Sequence, residues 1–108
     1  MSELNVVLPT KQQFLSALDS TFSVDAGNLP GFEMQLLRCD EIVSNEVQEN
    51  FTLLFRAPSE APPFQGIFRL THDALGEMDV FLVPVKRDEN GLYYEAVFNH
   101  LLEKNLAI

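Results

Sequence analysis

Val80-Phe81-Leu82-Val83-Pro84-Val85, then Arg87-Asp88-Glu89-Asn90-Gly91, then Leu92-Tyr93-Tyr94-Glu95-Ala96-Val97-Phe98-Asn99: these three stretches decide the fold. The first is apolar at consecutive positions, the pattern of a central strand buried on both faces. The last alternates, with Leu92, Tyr94, Ala96 and Phe98 on one side and Tyr93, Glu95, Val97 and Asn99 on the other. A period of two over that length predicts a strand with one face inward. Between them, Asn90-Gly91 readily supplies the positive φ of a tight hairpin, so the two strands run antiparallel.

Earlier runs read the same way. Thr21-Phe22-Ser23-Val24-Asp25 alternates, and Phe32, Met34 and Leu36 alternate with Glu33 and Gln35. The doublet Leu36-Leu37 then shifts the phase, which predicts a bulge or a strand apolar on both faces. Residues 44–50 are polar and read as a loop. Phe51, Leu53 and Phe55 alternate with Thr52, Leu54 and Arg56, and Phe68, Leu70 and His72 alternate with Ile67, Arg69 and Thr71. Residues 57–66 carry Pro58, Pro62 and Pro63, which donate no ladder hydrogen bonds, so an exposed, stiffened loop is expected there. Upstream, Thr10 is the expected N-cap of a helix over 11–19, with Gln13 at capping-box spacing. Phe14, Ala17 and Leu18 give that helix an apolar stripe, with Leu15 beside it.

The expected class is therefore mainly β (β-rich α+β), one domain over 1–108. It comprises one short N-terminal helix, a β meander of six antiparallel strands over 21–99, and a C-terminal extension over 100–108. The sheet is expected to be strongly curved or closed into a small barrel. The helix stripe of Phe14 and Leu18 is expected on the second face of the Val80 to Val85 strand. An open sheet that dimerises through Leu54, Phe81, Val83 and Val97 is the competing arrangement.

Composition narrows the function. The 108 residues are 46% hydrophobic and 21% charged, which excludes a disordered chain. Sixteen acidic against seven basic residues give a net charge of −9, and the basic residues are scattered. Nucleic acids and anionic membrane surfaces are disfavoured as partners, since both reward clustered Lys and Arg. No apolar run approaches the ~18 residues needed to span a bilayer. The one cysteine, Cys39, forms no internal disulfide and suits a reducing compartment, so a cytoplasmic location is expected. Neighbouring Arg38 points to the other face of a strand, which leaves Cys39 a structural thiol and not a nucleophile.

Phe51-Thr52-Leu53-Leu54-Phe55-Arg56, Gln65-Gly66-Ile67-Phe68-Arg69-Leu70-Thr71-His72, Leu75-Gly76, Phe81-Leu82-Val83-Pro84 and Tyr94-Glu95-Ala96-Val97-Phe98-Asn99 occur in this order. The pattern resembles a family of small bacterial proteins known as a domain of unknown function (the DUF6916 type), over residues 10–100. The resemblance implies a β-rich single domain and brings no catalytic residues with it. It also implies an association with phage-tail-like collar proteins encoded nearby. Ala57-Pro58-Ser59 stands where that family has a Gly-Pro turn, so a different loop geometry is expected here.

Candidate chemistry is sparse. His72, Asp73, Glu77 and Asp79 gather around one turn, but strand alternation separates the imidazole from the carboxylates, so no metal site is expected. The sequence has no GxSxG, HExxH or CxxC motif and no glycine-rich phosphate loop. Phe51, Phe55, Phe68, Phe81 and Phe98 read as core aromatics. No cofactor or catalytic residue is expected, and the reading leans against an enzymatic activity without deciding it. The leading expectation is a non-catalytic protein-interaction or accessory module, acting on a protein partner or as a homodimer. Its candidate interface is Leu54, Phe81, Val83, Val97, Leu102 and Leu106, the last two on an amphipathic C-terminal end. The alternative is a small-ligand barrel or minor enzyme whose pocket is lined by Phe and Tyr, with Tyr93, Tyr94 and His72 as its polar groups.

Overall fold

The computed structural model describes residues 8–28 and 30–101. A five-residue helix, α1 (Lys11–Leu15), precedes β1 (Thr21–Asp25), β2 (Phe32–Ser44), β3 (Gln48–Ala57), β4 (Gly66–His72), β5 (Gly76–Asp88) and β6 (Gly91–Leu101). Neighbouring strands are antiparallel, and the sheet closes on itself as a barrel in the order β1-β2-β3-β6-β5-β4. The meander expectation holds within β1–β3 and within β4–β6. It fails between them: β4 lies beside β1, not β3, so β1 to β4 form a Greek key and the β5–β6 hairpin completes the ring.

The alternating positions face where their chemistry requires. Phe22, Val24, Phe51, Leu53, Phe55, Leu70, Leu82, Tyr94 and Ala96 are buried and fill the interior. The phase shift at the leucine doublet is a bulge, since pairing jumps from Leu36 opposite Phe55 to Arg38 opposite Leu54. A second shift lies between Glu41 and Val43, and β2 continues to Ser44. The loop expected over 44–50 is therefore only residues 45–47, tied by Asn45 Oδ1 accepting from the amides of Val47 and Gln48.

The ring is not evenly laced. β5 pairs with β4 from Gly76 to Leu82, then switches sides and pairs with β6 from Val83 to Asp88. β6 pairs with β3 over its whole length, from Leu92 to Leu101. Among the described residues, the β5–β6 ladder stops at Val83 opposite Glu95, and the two strands separate beyond it as a seam. α1 fills one end of the barrel. Its Phe14 is fully buried, with ring centroids 6.5 Å from Phe22 on β1, 5.9 Å from Phe51 on β3 and 5.1 Å from Phe98 on β6.

The helix is shorter than the expected 11–19. Its capping box is present, with the Thr10 hydroxyl accepting from the Gln13 amide and the Gln13 side chain from the Thr10 amide. After Leu15 the chain turns, and Asp19 adopts a left-handed conformation (φ 67°) while its amide donates to the Leu36 carbonyl at 2.7 Å. That exit sends Ala17 inward and leaves Leu18 38% exposed, so Leu18 does not cover β5. The expectation that β5 is buried twice is thereby overturned. Met78, Val80 and Leu82 face the core, but Phe81 is 51% and Val85 50% exposed. With α1 in the barrel end, no second layer of described residues covers the outer wall here, and Phe81 leaves the list of core aromatics.

The β5–β6 turn also differs. Its tip is Glu89-Asn90, with Asp88 paired to Gly91 and Asp88 Oδ1 accepting from the Asn90 amide at 2.8 Å. Gly91 has the expected positive φ, 153°, and is required for a second reason. A Cβ there would lie 2.2 Å from the Ala57 carbonyl oxygen, because the β3 backbone passes against it.

Candidate functional site

The polar turn resolves into two structural units. His72 faces inward, where Nδ1 accepts from the amides of Ala74 (3.0 Å) and Leu75 (3.2 Å), and Nε2 lies 2.8 Å from Ser20 Oγ. Since Nδ1 accepts, the ring proton sits on Nε2 and donates to Ser20, whose own hydroxyl donates to the Ala17 carbonyl. His72 is thus a latch between the helix exit and the β4–β5 turn. The carboxylates face outward, where the Arg69 guanidinium takes Asp79 (2.5 Å) and Glu77 (3.3 Å). Arg69 holds the Asp79 carboxyl below the usual carboxylate range through its hydrogen bond. Among the described residues, no group of three His, Cys, Asp or Glu side chains is placed to hold a metal ion.

Cys39 sits opposite Leu53, on the inner side, and Arg38 opposite Leu54, on the outer side. Burial pushes the Cys39 thiol up from its ordinary value, against the smaller opposing pull of Lys11. That direction keeps the sulfur protonated and unreactive.

Aromatic rings pack against one another in the interior. Phe51 and Phe98 stack at 5.0 Å, Phe22 meets Phe55 edge-on at 5.3 Å, and Tyr94 lies 6.0 Å from Phe68. The Tyr94 hydroxyl donates to the Pro62 carbonyl, and Arg87 donates to the Ala61 carbonyl at 3.1 Å. These two bonds pin the proline loop across the closed end of the barrel, with Ala61 buried beneath it; the loop expected to be exposed is therefore anchored at its centre. Tyr93 stays half-exposed under the Lys86 ammonium, 5.0 Å from its ring centroid. At this end, Pro30, Phe32, Pro58, Ala61 and Pro62 line a shallow outer groove of ≈ 560 Å³.

Four of the six expected interface residues lie on the outer wall. Leu54, Glu95 and Val83 form one row across β3, β6 and β5, since Glu95 pairs with both. Two residues farther towards the seam, Val97 on β6 is 59% exposed and Phe81 on β5 is 51% exposed. Leu102 and Leu106 lie outside the described residues. The structure adds Ile67, directly opposite Phe81 and 74% exposed. Its outward parity beside the inward Phe68 was readable in sequence; its pairing with Phe81 was not.

Glu95 is the second residue the sequence did not single out. It is half-buried in the middle of this apolar row, and no described cation pairs with it. Lys11, Arg38, Arg69 and Lys86 bind other carboxylates, Arg56 binds Gln35 and Arg87 binds Ala61.

The model of a family described as a domain of unknown function (DUF6916) matches residues 9–98. The chain belongs to this family. Within DUF6916 the match runs from just before α1 to Phe98, so it takes in the helix plug, the ring up to the last three residues of β6, and the apolar row. No curated protein and no solved structure matches the chain. Among the described residues, no helix is long and apolar enough to cross a membrane.

Proposed function

We propose that this DUF6916 domain is a non-catalytic interaction module that docks a partner protein on the outer wall around Phe81, Val97 and Ile67. The observation that supports it is the exposure of these three large apolar side chains on one face, next to Leu54 and Val83. Contiguous exposed apolar surface on a small domain marks an interaction site, whereas a scattered residue does not. The packed interior favours this reading over a ligand-carrying barrel. The charge of −9 favours a different protein over a second copy, because two copies repel. The family resemblance adds a context, an accessory role in a phage-tail-like assembly, and the lone half-buried thiol fits the cytoplasm.

The test is affinity capture from the source cell with the full chain, run beside Phe81→Asp and Val97→Asp. Circular dichroism confirms that both variants fold. Loss of the same captured protein in both supports the assignment. A strictly monomeric chain that captures nothing, or capture undiminished by both substitutions, refutes it.

A further inference from the structure

The seam gives the docking surface a specific chemistry. Past Val83 and Glu95 the two strands no longer pair, so among the described residues β6 has a ladder partner, β3, on one side only. In an antiparallel strand, alternate residues turn their N–H and C=O groups to opposite sides. Over residues 96–100, every second residue therefore presents backbone donors and acceptors to the seam and not to β3. Such an edge is a template for another strand, and natural sheets usually blunt it with charge, proline or a covering element. Here the flanks are Val97 and Phe81, both apolar and exposed.

Glu95 stands at the point where the seam begins, flanked by Leu54 and Val83, and no described cation forms an ion pair with it: Arg56 and Lys86, both opposite neighbouring Tyr93, are engaged by Gln35 and Asp88. A half-buried carboxylate among apolar groups has lost part of its hydration without a compensating donor. An incoming guanidinium or ammonium replaces that hydration with charge-assisted hydrogen bonds. A second copy of this chain brings another Glu95 to any two-fold contact here, which is the wrong sign.

We propose that the free edge of β6 over residues 96–100 takes up an extended segment of a partner protein, one that alternates apolar side chains and carries a Lys or Arg to meet Glu95. Backbone pairing supplies affinity, Phe81, Val97 and Ile67 take the apolar positions, and Glu95 selects the basic one. This rests on the docking surface proposed above and adds its mode and its partner chemistry.

The experiment uses the full chain and a capped heptapeptide of alternating valine and threonine with one central arginine. Amide hydrogen exchange is followed by NMR in the free and peptide-saturated protein. Alternate amides over 96–100 are expected to exchange fast when free and to slow when the peptide is bound. Glu95→Gln is expected to weaken binding roughly tenfold, the scale of one charge-assisted hydrogen bond. The same peptide with a central glutamate, or with N-methylated backbone positions, is expected not to bind. Binding without protection of 96–100, binding unchanged in Glu95→Gln, or no binding at all overturns the proposal. So does concentration-dependent dimerisation that Phe81→Asp abolishes, which assigns the edge to a second copy. If the peptide fails while Phe81→Asp still abolishes partner capture, the docking surface stands and strand addition alone falls.

Discussion

Replacing Phe14 with alanine tests whether the helix is a structural plug or an ornament. The ring is fully buried and touches the walls of the barrel through Phe22, Phe51 and Phe98. Truncating a buried phenylalanine costs about 3–5 kcal/mol, from lost transfer energy and the cavity left behind. Three ring contacts, each worth about 0.5–1.5 kcal/mol beyond area burial, place this site at the upper end. A helix of five residues has no stability of its own, so the vacated space is not refilled by a surviving α1. The expected loss is about 4–5 kcal/mol, against a total of about 5–15 kcal/mol for a domain. Urea denaturation followed by circular dichroism measures it, with Leu18→Ala as the control, expected to cost under about 0.5 kcal/mol. A loss below about 1 kcal/mol for Phe14→Ala refutes the plug.

Gly91→Ala forces a Cβ to within 2.2 Å of the Ala57 carbonyl oxygen, and rigid β3 backbone has no room to yield. A loss of more than about 3 kcal/mol is expected in the same denaturation assay. His72→Ala removes the acceptor of two amides and the partner of Ser20, with an expected cost of about 2–3 kcal/mol. Its exchange signature is faster exchange of the Ala74 and Leu75 amides. Burial raises the pKa of both the Tyr94 phenol and the Cys39 thiol. Each stays neutral to higher pH in the folded chain than in the unfolded one. Their contribution is therefore complete near neutral pH and is lost as pH rises beyond about 8.5 for the thiol and about 10 for the phenol. Denaturation midpoints across the alkaline range check this, and Cys39→Ala is expected to flatten the earlier part of the decline.

Much of the barrel was legible because its strands have one wet face. Phe51, Leu53 and Phe55, or Phe68, Leu70 and His72, announce inward positions by alternation alone, and the leucine doublet announces its bulge. What misled was β5, where an apolar outer face is indistinguishable in sequence from a second buried face. Only the position of α1 decides between them, and that depends on Asp19 turning the chain at a positive φ, a conformation no local pattern signalled. The Asn-Gly pair marked its hairpin correctly, with Gly91 at a positive φ of 153°. What it did not show is that the same glycine also answers to a carbonyl on a strand more than thirty positions earlier. For the candidate site, Leu54, Phe81, Val83 and Val97 could be named from apolarity at outward positions. Glu95 could not, because its significance lies in the nearest described cations, Arg56 and Lys86, being engaged by Gln35 and Asp88, which is a property of three-dimensional neighbours.

The pinned proline loop has a practical corollary for anyone wishing to engineer this scaffold. Its anchors are two carbonyls, those of Ala61 and Pro62, while Ser59 and Glu60 before them and Pro63, Phe64 and Gln65 after them are exposed. Foreign peptides grafted between Ser59 and Glu60 open the turn closed by the Ala61 amide on the Pro58 carbonyl but leave both clasps in place. Lengthening the chain between Ala61 and Pro62 unfastens Arg87 and Tyr94 together, so the permissive and forbidden insertion points lie only two residues apart.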